Sequence, residues 1–70
     1  MQPTIPNESL VLGSLFMVFD IELEVIRFER IYRARFKKSK AEIEARTALE
    51  LAEQVHKFAA LYERLTGEEP

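Results

Sequence analysis

Seven cations fall within fourteen consecutive residues of this chain: Arg27, Arg30, Arg33, Arg35, Lys37, Lys38 and Lys40, opposed only by Glu29. On a helix turning about 100° per residue, Arg30, Arg33 and Lys37 share one narrow strip. With Arg27 and Lys38 beside it, such a strip can neutralise phosphates along a nucleic-acid backbone or dock an acidic protein surface. The plainer reading is a solvated helix end. There the cations favour the negative pole of the helix dipole and pair with Glu42, Glu44 or acids of another subunit. A net charge of −2 and the lack of a recognisable DNA-binding motif rank nucleic acid below a protein partner.

A second constellation is Glu53-Gln54-Val55-His56, an E-x-x-H that sets a carboxylate and an imidazole one helical turn apart. Di-iron carboxylate bundles use this spacing to aim both groups at one metal. A further carboxylate would have to come from Glu22 or Glu24. With Val55 and Phe58 on the buried side, however, Glu53 and His56 point outward, and a surface histidine is the expected outcome. No metal and no cofactor are expected. There is no cysteine, no glycine-rich phosphate loop and no candidate triad, so the chain does not read as an enzyme.

The elements that position these groups are read from apolar spacing. Val11, Ser14, Val18, Ile21, Val25, Phe28 and Tyr32 recur at steps of three and four, and Phe36 extends the line. That is the a/d seam of a helix packed along one partner. A second row, Leu12, Phe16, Phe19, Leu23 and Ile26, has the same spacing on a neighbouring face. A strand reading competes, because Ile21, Leu23 and Val25 alternate with Glu22 and Glu24. Alternation also runs through Ile26, Phe28, Tyr32, Ala34 and Phe36, broken at Arg30. The three/four spacing persists for more than twenty residues and no Asn-Gly-type turn divides the segment, so helix is preferred.

The first helix is therefore expected over 7–38, capped by Asn7 or Thr4, after a flexible arm at 1–6. Ser39-Lys40-Ala41-Glu42 fits a capping box that opens a second helix over 39–66. That helix has a seam of Ala41, Ala48, Leu51, Val55, Phe58, Tyr62 and Leu65, ends at Gly67 and leaves a polar tail at 67–70. The two helices, about 45 and 39 Å long at 1.5 Å per residue, predict an all-α fold: a single-domain antiparallel two-helix hairpin. Its second apolar row asks for another chain, and pairing two hairpins gives a four-helix bundle, as a homodimer or higher oligomer. In outline this architecture resembles the Rop-type helical hairpin dimer.

Seventy residues allow one small domain, near the lower limit for a self-sufficient core. Prolines stand only at positions 3, 6 and 70. No positive n-region precedes the apolar run, so no secretory signal is expected. Leu10 to Phe19 is half the length of a membrane span, so none is expected there either. A reduced, cytoplasmic setting fits the lack of cysteine. The functional expectation is a small non-enzymatic interaction module that pairs with itself and with another protein. Leu12, Phe16, Phe19, Leu23 and Ile26 would form its interface. Nucleic-acid binding through the basic segment is the alternative.

Overall fold

The computed structural model describes residues 8–70. It is an α+β fold in the order α1 (Glu8–Val18), β1 (Ile21–Ile26), β2 (Ile31–Phe36), β3 (Glu42–Ala45) and α2 (Ala48–Thr66). The three strands form one antiparallel sheet in the order β1-β2-β3. The all-α expectation, with its two-helix hairpin and four-helix bundle, is therefore overturned. Where one helix was expected over 7–38, the chain forms an 11-residue helix and two strands. The expected arm at 1–6 and the caps Thr4 and Asn7 lie outside the described residues.

The physical reason lies in arithmetic that both periods share. A step of four residues is also two strand repeats, so Ile21 and Val25 face the same way in a strand, as do Tyr32 and Phe36. The seam continues only because Phe28 happens to sit between them, and Phe28 is fully exposed at the tip of the β1–β2 hairpin. That tip is Arg27-Phe28-Glu29-Arg30, closed by the Glu29 and Arg30 N–H groups donating to the Ile26 and Arg27 carbonyls. Arg30 takes the left-handed conformation (φ 55°) that glycine or asparagine usually supplies. No Asn-Gly signal marks the turn because an arginine stands in its place.

The Ser39 capping box fails as well. The Lys40 N–H donates to the Phe36 carbonyl, Lys40 turns left-handed at φ 68°, and the Ser39 hydroxyl accepts from the Ala41 N–H inside the β2–β3 turn. Glu42 then begins a strand rather than a helix. The true start of α2 is Thr47, whose hydroxyl accepts from the Glu50 N–H at 3.0 Å. At the other end Gly67 adopts φ 75° and its N–H donates to the Glu63 carbonyl at 2.7 Å, stopping the helix.

Register explains how the sheet sorts its faces. Ile21, Leu23 and Val25 stand opposite Phe36, Ala34 and Tyr32, and Ala34 and Tyr32 stand opposite Ile43 and Ala45. This face packs beneath the helices: Ile21, Ala34, Phe36 and Ala45 join Leu15 of α1 and Leu51 and Val55 of α2 in one buried cluster. The opposite face carries two rows, Glu22–Arg35–Glu42 and Glu24–Arg33–Glu44. Opposite charges across neighbouring strands favour this arrangement, and putting β1 beside β3 would set glutamate against glutamate. The basic strand belongs in the middle.

Candidate functional site

The sheet breaks up the basic segment that reads as one helical strip in the sequence. Arg27 and Arg30 lie at the β1–β2 tip, Arg33 and Arg35 on the open sheet face, and Lys37 and Lys38 in the turn at the far end. Between Arg30 and Lys37 lies the full length of β2, roughly 20 Å at about 3.3 Å per residue. Arg33 is already engaged: its guanidinium reaches Glu24 at 2.6 Å and Glu44 at 2.7 Å. The hydrogen bond to Glu44, with that carboxylate's charge, raises the Arg33 pKa further above its ordinary value. Lys37 lies 3.5 Å from Asp20. The single phosphate-tracking strip does not exist.

The expected interface row is divided too. Leu12, Phe19 and Leu23 pack half-buried against the core cluster. The Phe19 ring sits edge-on to Phe36 at 5.9 Å and to His56 at 5.1 Å. Ile26 is half-buried at the end of β1, opposite Ile31. Only Phe16 projects, at 54% exposure. Beside it on the outer side of α1 stand Leu10 and Met17, outside both expected rows, and Val18, a residue of the expected seam, exposed at 73%, 89% and 62%. Ser14 between them is also exposed, and nothing lies within 4 Å of where a Cβ on Gly13 would stand.

Helix α1 is thus apolar on nearly every side, Glu8 being its one charged residue. In a monomer this leaves a continuous uncharged surface in water, a composition that normally marks contact with another molecule. The clue in the sequence is the lack of any polar face in Glu8–Val18, whereas α2 alternates faces properly. No helix among the described residues is long and apolar enough to cross a membrane.

The E-x-x-H pair is exposed on α2, with the His56 ring packed against Phe19. Glu22 and Glu24 project from the opposite face of the sheet, so the sheet itself separates them from His56. Among the described residues no group of three or more His, Asp or Glu side chains is placed to hold a metal ion.

A polar cluster joins the start of α1 to the hairpin. The Tyr32 hydroxyl donates to Glu8 Oε2 at 2.9 Å, and Arg27 approaches Glu8 Oε1 at 3.7 Å. The hydrogen bond to Glu8, then partial desolvation, pushes the Tyr32 pKa above its usual value. No known protein family matches this chain, and no curated protein or solved structure does.

Proposed function

We infer that the chain is a small non-enzymatic interaction module that self-associates through the outer face of α1. The observation that carries this reading is the uncharged, exposed surface of Leu10, Phe16, Met17 and Val18. Leu10 and Met17 lie seven residues apart on one line, with Gly13 and Ser14 between them. A second α1 running antiparallel across a two-fold axis sets Leu10 on Met17 of its mate and Met17 on Leu10, with small residues at the crossing. The surface complements itself.

The sheet edges argue for the same route. An antiparallel strand from a second copy against β1 or β3 would meet Glu22 and Glu24, or Glu42 and Glu44, with its own glutamates. Association through α1 carries no such repulsion. The helix is only about 16 Å long, so its face falls short of the ~800 Å² per partner of a standard interface. A weak, concentration-dependent dimer is expected, with room for exchange against another protein's apolar helix.

Sedimentation of the purified chain from micromolar to millimolar concentration tests this. The wild type should pass from monomer to dimer, and Leu10→Glu/Met17→Glu should remain monomeric with unchanged circular dichroism. A wild type that stays monomeric throughout, or a variant that dimerises as well as it does, refutes the α1 interface. Nucleic-acid binding draws no support from the dispersed cations.

A further inference from the structure

At the hairpin end of the sheet, a hollow of about 210 Å³ is lined by Val25, Ile26, Arg27, Arg30, Tyr32 and Arg46. Among the described residues that line it, three are arginines and none is a carboxylate. They come from two distant segments, the β1–β2 tip and the link between β3 and α2, so only the folded chain assembles them. Tyr32 and Arg46 also border an adjoining hollow lined by Glu8, the first residue of α1, and by Thr47, the N-cap of α2. The positive end of the α2 dipole therefore faces the same end of the molecule as the three guanidiniums.

The counter-charges nearby are Glu29 within the tip itself, Glu8, Glu44 and Glu50. Glu8 is drawn to Arg27 at 3.7 Å and accepts the Tyr32 hydroxyl, while Glu44 and Glu50 flank Arg46 on its other side without coming within ion-pair distance. Glu8 offsets one of the three positive charges, while Arg30 and Arg46 have no ion-pair partner among the described residues. Arg30 moreover holds the left-handed conformation at φ 55°, a strained choice for a residue with a Cβ, and it puts a guanidinium where a glycine would close the turn more easily.

We propose that this hollow binds the phosphate group of a phosphomonoester. Three guanidiniums offer planar forks of N–H donors, and a phosphomonoester brings three terminal oxygens and a charge near −2. A carboxylate satisfies only one fork. The site stands apart from the outer face of α1 and does not depend on its pairing. Phe28, fully exposed beside Arg27, gives an apolar contact for whatever carries the phosphate. The carrier is either a soluble ester or the headgroup of a membrane lipid.

The test uses the full chain with glycerol 3-phosphate, followed through the arginine Nε–Hε signals in NMR. Saturable shifts at Arg27, Arg30 and Arg46 are expected, with Arg35 and Arg64 unmoved. Arg30→Gln and Arg46→Gln should each weaken binding by ~10-fold or more, the loss of a charge-assisted hydrogen bond, while the amide spectrum stays folded. In a parallel arm the protein is sedimented with phosphatidylcholine vesicles containing phosphatidic acid. Arg46-dependent capture that also falls in Phe28→Ala assigns the carrier to a lipid. Saturable binding of the free ester alone assigns it to a soluble ligand. No saturable response in either arm, or shifts spread equally over all six arginines, overturns the proposal.

Discussion

Tyr32 shows how much a single side chain can tie together. Its ring stands on the buried face of β2 opposite Val25 and Ala45, and its hydroxyl reaches back to Glu8 at the start of α1. Because the folded-state pKa is raised above the unfolded value, the phenol contributes stability that is fully present below the ordinary tyrosine range. That contribution is lost as pH rises through the folded-state pKa. Tyr32→Phe should therefore melt below the wild type at pH 7 to 9, and the gap should narrow above about pH 10. Thermal melts of the two proteins across that range check it; a gap that does not depend on pH shows that the hydroxyl bond to Glu8 contributes nothing.

Among the elements, the sheet depends on its middle strand being basic. Arg33 bridges Glu24 and Glu44 across both ladders, so Arg33→Glu sets three carboxylates in one row. The melting temperature should fall, and fall further at low salt, where repulsion is least screened. Restoring opposite charges with Glu24→Arg/Glu44→Arg in the same chain should recover most of the loss. A triple variant no more stable than Arg33→Glu would show that burial beneath the helices, rather than charge, selects the strand order. The pattern Glu-x-Glu, Arg-x-Arg, Glu-x-Glu was present in the sequence at 22/24, 33/35 and 42/44. A helix reading hides it, because it places the cations on one helix face, pairs them with Glu42 and Glu44, and leaves Glu22 and Glu24 to alternation or a metal.

For the whole molecule, stability rests on one small cluster, and Phe36 is its largest member at 1% exposure. It meets Phe19 at 5.9 Å and Phe58 at 5.2 Å, joining the segment after α1, the sheet and α2. Phe36→Ala should cost about 3–5 kcal/mol, a large share of the stability expected for a domain this size. It should be mostly unfolded at 37 °C. Phe28→Glu, at a fully exposed position, should shift stability by no more than about 0.5 kcal/mol. Denaturant titrations of both variants decide between this core and a continuous helical seam, in which Phe28 and Phe36 would be equally costly to lose.

The sequence alone determined several local features. The glycine after Thr66 marks the end of α2, and the spacing of Leu51, Val55 and Phe58 marks one packed stripe, whereas the alternation of Ile21, Leu23 and Val25 with glutamates loses in the sequence to the helical spacing. These depend on neighbours in the chain. What only the tertiary structure decided was which of two shared periods governed residues 21–36. A run with apolar residues every fourth position satisfies a helix and a strand equally, and burial against a second layer breaks the tie. Tertiary pairing also dispersed the cations, engaging Arg33 between two acidic strands and bringing Arg46 to the side of Arg27 and Arg30. Such neighbours are set by strand register, which becomes fixed only when the apolar face of the sheet finds its helices.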